Sequence, residues 1–302
     1  MNASSTYSPT YATHWRISEE RSLPLDEPHL MGVLNATPDS FSDGGSSPTV
    51  DEQLGHAFRM IEEGASIIDV GGESSRPGAT RIAADEQRRR VLPVVRELAA
   101  ATDGEVLISV DTTIASVAEA ALDAGAHIIN DISAGSDDER MPPLVADRGC
   151  GYVIMHRLRA PENDVYSHRY DEPPTYGGDV VKAVVDWLHQ RLLELQAHGV
   201  EPAAIAIDPG LGFGKTVEQN YELIAHVEEL LATGQPVLTG ASRKSFIGKA
   251  SGVEDPRARD VPSIAAVLTQ YMAGVRIFRV HDVARHRAAL RVARAIDRAG
   301  RE

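Results

Sequence analysis

Eight short, continuously apolar runs recur along the chain, at 31–34, 67–70, 107–110, 127–130, 152–155, 205–207, 237–239 and 277–280. Each is followed by a longer stretch of helical period. Because the runs are apolar at successive positions, and not at every second one, they predict parallel strands covered on both faces; sandwich strands would alternate. The intervening stretches carry their apolar residues on one side, as with Leu54, Phe58 and Ile61, or Leu223, Ile224, Val227, Leu230 and Leu231, and their charges on the other. Eight strand–helix units in about 250 residues predict an α/β chain folded as a (β/α)8 TIM barrel. A doubly wound open sheet is the alternative topology.

Within the 302 residues, 42% hydrophobic, no proline-rich or glycine-serine linker divides the core. We therefore expect one barrel domain over 29–302, preceded by a polar extension over 1–28. The 30 basic and 44 acidic residues leave a net charge of −14, which argues against a nucleic-acid or anionic-membrane partner. Any anionic ligand must meet a local basic cluster. The single cysteine, Cys150, excludes an intramolecular disulfide and a cysteine zinc site and fits the cytoplasm. No run approaches the ~18 to 20 apolar residues of a membrane span. The segment 157–178, interrupted by Pro161, Pro173, Pro174, Gly177 and Gly178, reads as a surface loop. Two further loops, 37–49 and 73–83, follow the first two strands and would lie over a barrel's active face.

Nearly every run ends, on its C-terminal side, in a side chain able to bind something. In order these are Asn35, the Glu73-Ser74-Ser75-Arg76 run, Asp111, Asn130, His156, Asp208, Ser242-Arg243-Lys244, and Arg279 with His281. In a parallel barrel those ends converge on one mouth. Asp111, Asn130 and Asp208 offer acceptors, whereas Arg76, Arg243, Lys244, Arg279 and His281 offer donors or positive charge. The ligand this asks for is two-faced: an edge of adjacent N–H groups, as on an aminopyrimidine, joined to a phosphate that suits an Arg/His pair, with an amide oxygen beside them for Mg2+.

Each residue has a structural reading of its own. Asp111 or Asp208 can cap a helix or open a turn, and Asn130-Asp131 can be a capping pair. His281 can pair with Asp282, and Arg243-Lys244 can be a solvated pair. Their joint placement favours function for all but His156, which reads better as a satisfied core histidine. The run Gly210-Leu211-Gly212-Phe213-Gly214-Lys215-Thr216 is not a Walker A loop, since position 209 is proline, and lacks dinucleotide spacing. Its glycines instead suit close approach of backbone to a flat ligand. No H-E-x-x-H or G-x-S-x-G motif supports a metalloprotease or hydrolase.

These residues fall within motifs that resemble dihydropteroate synthases. The segment from Gly32 through Asn35, Pro38, Asp39 and Phe41 to Gly45 is similar to that family's first signature, and Asp69-Val70-Gly71-Gly72-Glu73-Ser74-Ser75-Arg76-Pro77-Gly78 to its second. Ser109-Val110-Asp111-Thr112, Ile129-Asn130-Asp131, Asp208 through Lys215, Ser242-Arg243-Lys244-Ser245 and Arg279-Val280-His281-Asp282 follow in order. The resemblance runs from about Leu30 to Ile296. It implies a (β/α)8 enzyme of folate synthesis that joins 4-aminobenzoate to 6-hydroxymethyl-7,8-dihydropterin diphosphate, with Mg2+ as its metal. It further implies that Asp111, Asn130, Asp208 and Lys244 hold the pterin, that Asn35 binds the metal, and that Arg279 and His281 take the diphosphate. Asp39 would come near the reacting centre, Ser75 and Arg76 would meet aminobenzoate and pyrophosphate, and Ser242 would border the aminobenzoate. Phe213 joins the substrate-binding set, and Asp39, Arg76 and Lys244 the catalytic one. The family's final helices imply a homodimer.

The chain departs from the pattern in two places. The 157–178 connection is longer than the family's, and Asp260-Val261-Pro262-Ser263 replaces a Gly-Ser or Gly-Thr pair expected before the last helix. Two other readings share these motifs: a pterin-binding module serving methyl transfer, and a non-catalytic paralogue. The Ser242-Arg243-Lys244 run and the Pro38-Asp39-Ser40-Phe41 loop speak against the first, and retention of Asn35, Arg76, Lys244, Arg279 and His281 against the second.

Overall fold

The computed structural model describes residues 11–36 and 49–300. The arm contributes an antiparallel hairpin of β1 (His14–Arg16) and β2 (Ser22–Pro24). The expected strands follow as β3 (His29–Asn35), β4 (Ile67–Gly71), β5 (Leu107–Asp111), β6 (Ile128–Asp131), β7 (Gly151–Met155), β8 (Ile205–Asp208), β9 (Leu238–Thr239) and β10 (Ile277–Val280). All eight are parallel, in the order β8-β7-β6-β5-β4-β3-β10-β9. A parallel bridge between Ile207 and Val237 brings the two outer strands together and closes the ring. The open-sheet alternative is thereby excluded.

Between and after the strands lie α1 (Val50–Glu63), α2 (Ala84–Thr102), α3 (Ala115–Asp123), α4 (Met141–Arg148), α5 (Val180–Ala197), α6 (Val217–Ala225), α7 (Val227–Leu231), α8 (Ser245–Ser251), α9 (Asp260–Ala273) and α10 (Val283–Ala299). None of the described helices is long and apolar enough to cross a membrane. The buried stripe of α1 is Gln53, Ala57 and Met60, with Leu54 and Ile61 at its border. Phe58, expected beside them, is 37% exposed. At 100° per residue it falls beyond Leu54, on the far side from Ala57 and Met60. The apolar stretch 223–231 is buried as expected but breaks at His226, where φ is −118° and ψ is 33°.

The period of two along a strand sorts the barrel into layers. Outward-facing Leu30, Leu34, Ile68, Val70, Ile108, Val110, Ile129, Ile154, Ile207, Phe278 and Val280 form the large core shared with the helices. Inward-facing Met31, Ile67, Leu107, Ile128, Val153, Ala206, Leu238 and Ile277 form a separate apolar layer with Trp15, Ile17 and Leu25 of the arm. Trp15 is fully buried, and its indole N–H donates to the Ala204 carbonyl at 2.8 Å. The described part of the arm therefore plugs the N-terminal end of the barrel.

The 157–178 connection is not the loose surface loop that its composition predicts. Pro161, Asp164 and Ser167 are buried, and it folds into two short 3-10 turns at Pro161–Asn163 and Tyr176–Gly178. It is pinned on both flanks: Gly78 N–H donates to Pro161 O at 2.8 Å, and Gln219 Nε2 to Pro174 O at 2.6 Å.

Candidate active site

Two residues above the apolar layer, the inward positions become polar. Asp69 on β4 is fully buried and accepts from Ser109 Oγ at 2.6 Å, Asn130 Nδ2 at 3.1 Å and Arg279 Nε at 2.7 Å. The other arm of Arg279 donates to Asp111 Oδ2 at 3.0 Å. One guanidinium from β10 thus bridges carboxylates on β4 and β5, its planar fork matching both. Burial raises the Asp111 pKa, opposed by Arg279 and reinforced by Asp69. Asp111 caps no helix: Asp138 accepts from Ala115 N–H at 2.9 Å in that role.

Across the cleft, Asp208 Oδ1 accepts from Gly210 N–H at 2.7 Å, and burial lifts its pKa to about 6. Lys244 Nζ stands 4.1 Å from the Phe213 ring centre, and its pKa is lowered to about 8, chiefly by burial and next by Arg279. Asp111, Asn130, Asp208, Phe213, Lys244 and Arg279 line one cleft of about 360 Å3, with Ile132 and Met155 as further apolar walls. Ser75 lies on its rim and, with Asp111 and Ile132, also borders a second cavity of about 400 Å3.

The next layer outward holds Asn35, Ser242 and His281. Ser242 Oγ lies 3.0 Å from His281 Nδ1 and accepts from the His281 backbone N–H at 3.2 Å. Burial first, then the cations Arg243, Arg279, Lys244 and Arg76, hold the His281 pKa well below its ordinary value. Its neighbour Asp282 instead caps α10, accepting from Arg285 N–H at 2.8 Å. Arg76 is exposed on the loop after β4, and Glu73 anchors that loop by accepting from Ile82 N–H at 3.1 Å and from Gln87.

Arg243 does not join the mouth. Its guanidinium pairs with Asp260 at 2.6 and 2.9 Å, and its N–H donates to Ser263 Oγ at 2.9 Å. The Asp260-Val261-Pro262-Ser263 departure thus supplies a partner for Arg243, whose backbone is left-handed at φ 61°. Asp39 lies outside the described residues. His156 is buried against Lys215, whose ammonium donates to its Nδ1 at 2.9 Å. Burial and that ammonium depress its pKa to about 2.

In the sequence Asp69, Ser109 and Lys215 stand only as members of the resembling motifs, with no role of their own. The first two stand inside runs read as apolar, Ile67-Ile68-Asp69-Val70 and Leu107-Ile108-Ser109-Val110. A lone polar residue in such a run is itself a signal, because it must face a partner inside the barrel. Lys215 is fully buried, and nothing in its local sequence separates it from a loop lysine at the surface.

A family model described as pterin binding enzyme matches residues 31–281. The dihydropteroate synthase of Mycobacterium leprae is 44% identical over 277 residues, covering 90% of this chain and 94% of that one. Among solved structures, a Xanthomonas albilineans dihydropteroate synthase holding 4-aminobenzoic acid superposes with a TM-score of 0.84 at 40% identity, over 95% of this chain and 98% of that one. Another structure of the Xanthomonas albilineans enzyme, in complex with 7,8-dihydropteroate, gives 0.80 at 37% identity, over 94% and 98%.

Proposed function

The chain belongs to the pterin binding enzyme family, among its dihydropteroate synthases, and from that premise we propose how its mouth divides the work. The reaction joins 6-hydroxymethyl-7,8-dihydropterin diphosphate to 4-aminobenzoate and yields 7,8-dihydropteroate and pyrophosphate. The observation that carries the division is the bridging of Asp69 and Asp111 by Arg279 at 2.7 and 3.0 Å, beside Asn130, Asp208 and Lys244. Acceptors on three strands surround a cleft whose apolar walls include Ile132, Met155 and Phe213. Asp111, Asn130 and Asp208 receive the N–H edge of the pterin, and Lys244 donates to its oxygen side.

The diphosphate lies toward the outer layer, against Arg76, Arg279 and His281, and Ser75 and Ser242 border the aminobenzoate. Asn35, half-buried at the end of β3, offers a carboxamide oxygen for Mg2+. The described residues bring together no group of three or more His, Cys, Asp or Glu for a metal. That donor set fits a hard cation held mainly by phosphate oxygens and water. Mg2+ supplies charge neutralisation of the departing pyrophosphate when bound.

The displacement occurs at the methylene carbon of the pterin: the C–O bond to the diphosphate breaks ahead of attack, and the arylamine nitrogen forms the new C–N bond and then loses a proton. Asp111 and Asp208, held negative by Arg279 and Lys244, stabilise the positive ring that develops, an interaction stronger in the transition state than in the bound substrate. Arg76, Arg279 and His281 receive the leaving charge. The loop after β4 excludes water from the cationic centre; Asp39, outside the described residues, is proposed to act at the same centre. Val261 and Met272 on α9 and Val292 and Ile296 on α10 are exposed on helices packed together, which supports a homodimer through this face. The cytoplasm supplies both soluble substrates. The test is direct: purified protein with both substrates and Mg2+ releases pyrophosphate and dihydropteroate in equal amounts, and pterin binding without turnover would favour a binding module instead.

A further inference from the structure

Two side chains of the long connection before α5 close on Gly214, the residue next to the cleft-lining Phe213. Asp164, 5% exposed, accepts from Gly214 N–H at 2.8 Å and from the Tyr170 hydroxyl at 2.6 Å. The Tyr176 hydroxyl donates to the Gly214 carbonyl oxygen at 2.6 Å. Both backbone groups of Gly214 are therefore held from outside. Its backbone is left-handed at φ 68°, and a Cβ there would lie 2.3 Å from Leu158 Cβ, so no side chain can substitute for the clamp.

The residues flanking Gly214 give the clamp its meaning. Phe213 lines the cleft and carries the Lys244 ammonium over its ring. Lys215 fixes the same turn from within, donating to the carbonyl oxygens of Gly210 at 3.1 Å and Phe213 at 2.9 Å. A turn built on Gly210, Gly212 and Gly214, all at positive φ, has little stiffness of its own, because glycine loses the most conformational freedom on ordering. Order must be imported. Tyr176 is itself held left-handed at φ 49°, followed by Gly177 and Gly178 at 66° and 92°. A bulky residue takes up that conformation only where the surroundings over-determine it.

We propose that Asp164 and Tyr176 are positioning residues that set the Phe213 ring and, through it, the Lys244 ammonium against the pterin. The proposal deepens the synthase reading and rests on it. The physical step is restriction: a ring on a glycine turn held from within by Lys215 and Asn220 but not at Gly214 samples more placements, and an ammonium stacked on it samples them too. Because the clamp touches only the backbone of Gly214, it acts through placement and not through contact with substrate.

The test uses Tyr176→Phe, Asp164→Ala and Asp164→Asn in the full chain. Tyr176→Phe and Asp164→Ala are expected to raise KM for the pterin diphosphate five- to tenfold with kcat within twofold. Asp164→Asn, which keeps an acceptor for Gly214 N–H, stays within twofold of wild type in both. In a Phe213→Ala background, where the positioned ring is gone, Tyr176→Phe changes KM by less than twofold. A merely structural role would lower the active fraction and hence kcat, leaving KM in place, and that result overturns the proposal. So do effects that multiply unchanged in the Phe213→Ala background. Should Asp164→Ala fail to fold, Tyr176→Phe, which removes one hydroxyl, decides alone. A wild-type chain without turnover overturns the synthase reading, and this proposal with it, whereas a working wild type with unmoved variants overturns the clamp only.

Discussion

The two ends of the barrel are built from the same strands and do opposite things. At the floor, the inward residues Met31, Ile67, Leu107, Ile128, Val153, Ala206, Leu238 and Ile277 meet Trp15, Ile17 and Leu25 in one apolar cluster. At the mouth, two residues further along several of those strands, stand Asp69, Ser109, Asn130, Asp208 and Arg279, and two further again Asn35, Asp111 and His281. The floor gains stability by removing apolar surface from water. The mouth spends it, holding carboxylates and cations where burial opposes their charge. Stability and chemistry are thus separated by a few ångströms along each strand, as expected of a barrel whose functional end is its C-terminal face.

Substitutions at the two ends should therefore fail differently. The largest effect belongs to the floor: Trp15→Ala removes a fully buried indole and its bond to Ala204, and should cost about 3–5 kcal/mol of unfolding free energy. Chemical denaturation measures that loss, while kcat/KM per folded molecule stays within about twofold. A collapse of turnover at unchanged stability would mean that the plug reaches the mouth. The mirror experiment is Lys244→Ala, expected to lower turnover by about a hundredfold or more with the thermal midpoint nearly unchanged. A large drop in midpoint would class Lys244 with the scaffold.

The strands were more legible than either end of the barrel, and the reason is physical. A strand buried on both faces must be apolar throughout, so all eight announced themselves as runs. The same density concealed Asp69 and Ser109, which bond to each other across β4 and β5 while Asp69 takes further partners from β6 and β10, none with a trace in local sequence. Asp111, Asn130, Asp208, Lys244 and Arg279 were visible because they sit at run ends, and the structure brings them around one cleft. Arg243 sat at such an end too, but its left-handed backbone turns it to Asp260. The arm was opaque because Trp15 and Leu25 are spaced too irregularly to declare a face, and only the barrel supplies one. The 157–178 connection misled through its prolines and glycines, which here make tight turns under tertiary bonds.

A smaller effect separates the two ends by pH. The acceptor roles of Asp111 and Asp208 are lost as they protonate near about 7 and about 6, and the donor charge of Lys244 is lost near about 8. The profile of kcat/KM for the pterin diphosphate should therefore be a bell, its acid limb falling about tenfold per pH unit below about 7 and about a hundredfold per unit below about 6, and its basic limb about tenfold per unit above about 8. Trp15→Ala should leave the bell in place. In Asp208→Asn the steeper fall below about pH 6 should relax to about tenfold per unit while the limb near about 7 stays, and an unchanged slope below about 6 would assign it to another group.

The smallest effect concerns stability, and its sign is the sharpest test of the contrast. Burial raises the Asp208 pKa from 3.8 to about 6 in the folded state. The stability this confers is present below the unfolded value and is lost as pH rises through about 6. Above that pH the charged carboxylate costs the fold about 3 kcal/mol. Asp208→Asn abolishes the cost and keeps an acceptor for Gly210 N–H, but it also takes a counter-charge from Lys244 and Lys215, which offsets part of the gain. The variant should thus be more stable than wild type by about 1 kcal/mol at pH 8 and equal to it near pH 4, while turning over far more slowly. Denaturation at the two pH values measures it. A loss of stability at pH 8 would show that the Asp208 charge holds the mouth together, and that the mouth is scaffold as well as site.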